Sequence, residues 1–204
     1  MFDRWITKNI KFKNFQKNKS NPKLKKDLID ILNKKNPILS SLSSEYRDDY
    51  NFKKIKNYKK KLDVRIIGMG GSILGTRAIY DFLKKKTKSK FHFVDNLSIN
   101  NVPSKKNSFL NIIVSKSGNT LETLSNANIL IKKKDRNIFI TENKQNYIYL
   151  LAKKLKGEII HHNNFIGGRY SVLSEVGMLP AELMGLNPKS FRQLNALIKN
   201  KNFI

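Results

Sequence analysis

Apolar residues along this chain come in short bursts, and their spacing changes character near residue 64. Upstream lie three apolar islands in lysine-rich sequence, Trp5 to Phe15, Leu24 to Leu32 and Ile38 to Leu42, each expected to be helical. In the second, Leu24, Leu28, Ile31 and Leu32 recur at helical spacing behind Asn21 and Pro22, an N-cap and first-turn pair, so a helix is predicted there. Pro37 is expected to stop it, with Ser40, Ser41, Ser43 and Ser44 forming a loop. The polar stretch from Asp48 to Lys61, with its scattered aromatics, is expected to cross the surface toward the first strand.

From Val64 onward, short β-branched runs alternate with helical periodicity, the pattern of a doubly wound parallel sheet. Strands are predicted at Val64 to Ile67, Phe91 to Val94, Leu110 to Val114, Ile138 to Ile140 and Glu158 to Ile160. Helices are predicted from Ser72 to Leu83, with Leu74, Ala78, Ile79 and Phe82 on the apolar face, and from Thr120 to Ile131, with Leu121, Leu124, Ala127, Asn128 and Ile131 at helical intervals. Two more are expected, from Gln145 to Leu155 and from Ser174 to Met184, the last interrupted near Pro180. The expected fold is α/β, a three-layer α/β/α sandwich on a five-stranded parallel sheet. A helical extension (1–60) precedes the sheet domain (61–186), and 187–204 begins a helical connection. Ligands of such sheets lie beyond the carboxyl ends of the strands.

Composition narrows the picture. The 204 residues suit one well-cored domain with extensions, and the absence of cysteine excludes disulfides and cysteine-ligated metals. No apolar run approaches the ~20 residues of a membrane helix and the amino terminus lacks a signal-peptide core, so a soluble, cytoplasmic protein with no membrane partner is expected. The formal charge is +26, which would ordinarily raise nucleic acid as a partner. Only seven of the 41 basic residues are arginine, and the lysines are dispersed among asparagines and isoleucines. The charge therefore reads as solvated surface and not as a nucleic-acid site.

Candidate chemistry sits in two loops. In VRIIGMGGSILG, Gly68, Gly70 and Gly71 follow a buried strand and Ser72 stands where an N-cap would, so backbone N–H groups and a helix dipole are offered to an anion. Dinucleotide and P-loop fingerprints both fail: Ile73 replaces the third glycine of the first, which leaves Asp95 without its motif, and Thr76 and Arg77 replace the Lys and hydroxyl of the second. In SKSGNTLET, after the strand LNIIV, the hydroxyls of Ser115, Ser117 and Thr120 converge at a helix start, with Gly118 permitting the close turn; helix capping alone is the plainer reading. Together the loops suit a phosphate monoester bound without metal or cofactor.

GMGGSILG, SKSGNTLET and GGRYSVLSEVG, in that order and spacing, resemble the sugar isomerase (SIS) domain, and specifically the amino-terminal half of the glucose-6-phosphate isomerase family. The resemblance covers about Val64 to Leu186. It implies that Gly71 and Ser72 approach a sugar phosphate, that Ser115, Lys116, Ser117 and Thr120 bind its phosphate group, and that Arg169 is the catalytic arginine, brought in by Gly167 and Gly168. It implies no cofactor, a small-molecule phosphosugar partner and a homodimer. The family's catalytic glutamate, ring-opening histidine and lysine come from chain beyond GGRYS. Neither Glu122 nor Glu175 corresponds to the base, and His92, His161 and His162 are not at the family histidine. Lys201 to Ile204 carry no capping signal, so more chain is expected to follow and this piece to be the phosphate-binding half, inactive alone. The competing reading is a single-domain phosphosugar sensor without catalysis.

Overall fold

A computed structural model of the chain describes residues 21–34, 36–51, 53, 58, 63–97 and 108–192. The expected island at Trp5 to Phe15, most of the stretch before the first strand and the end at Lys201 to Ile204 lie outside them. The chain divides into two compact units, residues 1–46 with 189–204, and residues 47–188.

The first unit holds α1 (Pro22–Asn33) and α2 (Pro37–Ser41). Asn21 caps α1 as expected, its Oδ1 accepting from Lys23 N–H at 3.0 Å. The expected helix at the third island forms, but Ser40 and Ser41 belong to it, and only Ser43 and Ser44 lie in the turns that follow. Asn36 Oδ1 accepts from Ile38 N–H at 2.8 Å, so Asn36 and Pro37 repeat the cap-and-proline device and open a second, short helix.

The second unit contains β1 (Asp63–Gly68), α3 (Leu74–Leu83), β2 (Phe91–Val94), β3 (Phe109–Val114), α4 (Leu121–Leu130), β4 (Arg136–Thr141), α5 (Tyr147–Lys154), β5 (Glu158–His161) and α6 (Glu175–Leu183). All five predicted strands form, and they pair in parallel in the order β2-β1-β3-β4-β5. Alternate residues feed opposite cores. Val64, Ile66, Leu110 and Ile112 pack with Tyr80 of α3 and Leu179 and Leu183 of α6. Ile67, Ile113 and Phe139 pack with Ala127 and Leu130 of α4 and Ile148 and Ala152 of α5. The chain leaves β1 for β2 on one side and returns to β3 on the other, so the strand order reverses beside the carboxyl end of β1, where such sheets bind ligands.

Two helix faces differ from expectation. In α3, Leu74 and Phe82 are 56% and 87% exposed, while Thr76 and Tyr80 are buried. Tyr80 packs on Phe91 and Phe93, with ring centroids 5.4 and 5.6 Å apart, and so outcompetes the apolar stripe. In α4, Leu121 is exposed, whereas Asn126, Ala127 and Leu130 face the sheet. The interruption expected near Pro180 is also absent, because α6 runs through it. A proline removes the N–H that would bond the carbonyl four residues earlier, here that of Val176. The buried Thr76 hydroxyl donates to that carbonyl at 3.1 Å. A neighbouring helix thus satisfies the acceptor, and α6 continues.

Candidate functional site

The carboxyl end of β1 leads into a backbone-only cradle. Gly68 lies so close to β3 that a Cβ there would stand 2.9 Å from the Val114 carbonyl oxygen. Gly70 takes a positive φ of 52°, and Gly70–Ser72 form a 3-10 turn closed by Ser72 N–H to the Met69 carbonyl and Ile73 N–H to the Gly70 carbonyl, both 3.1 Å. Ser72 is therefore not the cap of α3. Ile73 occupies that position and makes no side-chain cap bond, so no side chain closes the amino end of α3.

The second loop leaves β3 with Ser115 N–H bonded to the Ile140 carbonyl of β4 at 3.0 Å. Ser115 Oγ lies 3.1 Å from Thr120 Oγ1 and accepts the Gly118 N–H at 3.1 Å, so Ser115 and Thr120 are gathered into one hydroxyl pair. Thr120 holds the N-cap position of α4 in extended backbone but makes no cap bond with its side chain, so capping alone does not account for it. Ser117 is exposed, and its Oγ accepts the Asn119 N–H at 3.3 Å. The Lys116 side chain turns away from the hydroxyl pair. Its Nζ donates to the Asn164 carbonyl at 2.8 Å and lies 3.5 Å from Glu142 Oε1. Burial raises the Glu142 carboxyl, yet hydrogen bonding and charge from Lys144, with the charge of Lys116, outweigh it and hold Glu142 below the usual range.

A third segment, the 3-10 turn Gly168–Leu173, meets the first cradle. A Cβ on Gly71 would overlap the Gly168 carbonyl and stand 2.7 Å from Arg169 N. A Cβ on Gly75 would stand 2.6 Å from Val172 Cγ2, and one on Gly177 would overlap the Val172 carbonyl. The GGRYSVL turn is thus held by close backbone approach at Gly71, Gly75 and Gly177, a role that no local pattern around these three glycines signals. At Gly168, expected to help admit the arginine, an added Cβ would meet open space. Arg169 and Tyr170 are exposed beside the cradle.

Other candidates resolve into partners. Arg77 binds Asp95 at 3.0 Å, so the two residues left over from the failed nucleotide fingerprints hold each other. His92 lies 3.3 Å from Asp63, and the His161 N–H donates to Asp49 at 3.0 Å. His162 is fully buried, and burial above all lowers its pKa, with the charge of Lys116 adding to it and the Asn163 carbonyl and the charge of Glu142 opposing it. Among the described residues no three His, Asp or Glu side chains gather as a metal site. A recess of about 600 Å³ between Tyr58, Arg136, Lys156 and Glu158 lies at the amino ends of β4 and β5, on the edge opposite the cradles. Asn146, the N-cap of α5, packs against Gly118.

Comparison with known proteins places these loops in context. A family model described as phosphoglucose isomerase matches residues 15–198. A glucose-6-phosphate isomerase of Mycoplasma genitalium is 36% identical over 154 residues, covering 68% of this chain and 36% of the relative. The chain thus spans little more than a third of that relative's length. Among solved structures, a hypothetical protein from Thermus thermophilus matches with a TM-score of 0.65 at 21% identity, covering 84% of this chain and 45% of that one. Tagatose-6-phosphate ketose/aldose isomerase from Escherichia coli matches with a TM-score of 0.58 at 14% identity, covering 81% and 53%. The structural likenesses concern the fold.

Proposed function

Because the chain belongs to the phosphoglucose isomerase family, we propose that it forms the phosphate-binding half of a glucose-6-phosphate isomerase, which interconverts glucose 6-phosphate and fructose 6-phosphate through an enediolate. The observation that carries this reading is the backbone contact of Gly71 with Gly168 and Arg169, which sets an exposed arginine beside an anion cradle. In it, the Gly71–Ser72 turn and the hydroxyls of Ser115, Ser117 and Thr120 hold the phosphate, with α4 directing its positive end at the charge. Lys116 contributes positive charge, and leaves Glu142 if its ammonium is to reach the ligand. Isomerisation moves a proton between C1 and C2, and negative charge builds on the neighbouring oxygen. The Arg169 guanidinium stabilises that charge, which exists only along the reaction path. No cofactor is needed, because the proton returns to the adjacent carbon. The general base comes from polypeptide beyond these residues, and the complete enzyme works as a cytoplasmic homodimer.

Two measurements on the 204-residue chain test this. In calorimetric titration it is expected to bind glucose 6-phosphate, and Arg169→Ala to keep that affinity within about threefold, because the arginine serves the reaction path and not the bound ground state. Ser115→Ala should weaken it more. In a coupled assay, turnover by the chain should fall at least about 10²- to 10⁴-fold below that of a complete family enzyme, the usual consequence of losing a general base. Near-normal turnover would contradict the assignment of the base to other polypeptide. Equal losses of affinity for Arg169→Ala and Ser115→Ala would move Arg169 into the phosphate clamp, as a non-catalytic sensor requires.

A further inference from the structure

The loop of residues 115–120 is fastened to α5 as well as to α4. The Gly118 carbonyl accepts the Ile148 N–H at 3.0 Å, Asn119 Oδ1 accepts the Tyr147 N–H at 3.3 Å, and Asn146 Oδ1 accepts the Tyr149 N–H at 2.9 Å. The first three N–H groups of α5 are all bonded, two of them by the loop. Asn146 is buried, and its Nδ2 donates to Thr141 Oγ1 at 3.0 Å and to the Lys144 carbonyl at 3.2 Å. Its amide also fills the space a side chain on Gly118 would need. A Cβ there would overlap Asn146 Oδ1 and Cγ and stand 2.5 Å from Nδ2. Gly118 holds a φ of 70°, a conformation that side chains disfavour and glycine accepts.

We propose that Asn146 is a positioning residue for phosphate binding: its amide, pinned between Thr141 and the first turn of α5, seats Gly118 in the left-handed conformation and so sets the Ser115–Thr120 hydroxyl pair. This rests on the reading of the loop as a phosphosugar site. The chain of contacts is short. Gly118's backbone direction aims its N–H at Ser115 Oγ, and that oxygen is the one paired with Thr120 Oγ1. Asparagine suits the position because one planar group accepts from Tyr149 and donates to Thr141 and Lys144. Aspartate would keep the helix cap, lose both donors and bring negative charge toward the phosphate. Serine would keep the cap and be too short to cover Gly118.

Asn146→Ser therefore separates helix capping from loop positioning. The 204-residue chain should stay folded by far-UV circular dichroism, with a urea midpoint lowered by the two lost amide donors, while its affinity for glucose 6-phosphate falls about tenfold or more, as loss of alignment at a binding group would give. Thr141→Val, which removes one of the amide's two acceptors along with the hydroxyl's own 3.4 Å bond to the Lys116 carbonyl, should weaken affinity in the same direction. Gly118→Ala should abolish binding, and the double variant Gly118→Ala/Asn146→Ser should recover part of it, because the overlap with the amide is gone. Unchanged affinity in Asn146→Ser or Thr141→Val would overturn the role, as would a double variant no better than Gly118→Ala. Absence of glucose 6-phosphate binding by the unsubstituted chain would instead overturn the phosphosugar reading, and the role with it.

Discussion

His162 shows how a single side chain couples this site to pH. Its Nδ1–H donates to the Asn163 carbonyl at 3.1 Å, and its Nε2 is buried without a partner. A second proton would place a buried N–H where nothing accepts it, and the charges of Lys116 and Glu142 act on the ring in opposite directions. Because the folded pKa is lowered, the unfolded chain binds more protons as pH falls below the ordinary histidine value of about 6.5. Stability from the neutral ring is thus complete above that value and is lost as pH falls toward the folded pKa, at no more than about 1.4 kcal/mol per pH unit. Urea unfolding at pH 7.5 and 5.5 should show a smaller stability loss for His162→Phe than for the unsubstituted chain. Equal losses would mean that His162 carries no such linkage. Adjacent histidines in a sequence say nothing of burial. The carbonyl and the lysine around His162 are brought by the folded backbone.

At the scale of elements, the join between α3 and α6 carries a sharper expectation. Thr76→Val leaves the Val176 carbonyl, freed by Pro180, buried without a donor, which should cost about 1–3 kcal/mol. Thr76→Ser, which keeps the hydroxyl, should cost less, and equal urea midpoints for the two variants would dismiss the hydrogen bond as a support of α6. Strands were legible from sequence because β-branched runs such as VRII and LNIIV have one use in a parallel sheet. Helix faces were less so. Periodicity located the stripe Leu74, Ala78 and Phe82 but could not tell that Tyr80 finds aromatic partners on β2 and that Thr76 is wanted by α6. Proline at 180 reads locally as a break, and only a residue about a hundred positions earlier removes the reason for one. The glycines follow the same logic: Gly71 was legible as a loop glycine, while its role against Gly168 depends on packing between distant segments.

At the scale of the whole molecule, three lysine runs among the described residues are placed by the same topology. Lys84, Lys85 and Lys86 follow α3, Lys132, Lys133 and Lys134 follow α4, and Lys153, Lys154 and Lys156 end α5 or follow it. In a parallel α/β unit each helix ends at the amino edge of the next strand, so these runs gather on the edge away from the cradles. Positively charged side chains suit helix carboxyl ends. A six-residue strand of about 20 Å separates them from the site, beyond a Debye length of about 8–10 Å. The charge of these runs therefore gives no guide to the site, whereas glycines and hydroxyls at the carboxyl edge do. The most direct test of that assignment is a residue-resolved NMR titration of the chain with glucose 6-phosphate and, separately, glucose. The expected result is that glucose 6-phosphate shifts the backbone amides of Gly71, Ser72 and Ser115 through Thr120 while glucose leaves them in place. Unmoved amides in those two loops, equal responses to both sugars, or shifts centred on the recess beside Tyr58 and Arg136 would contradict it.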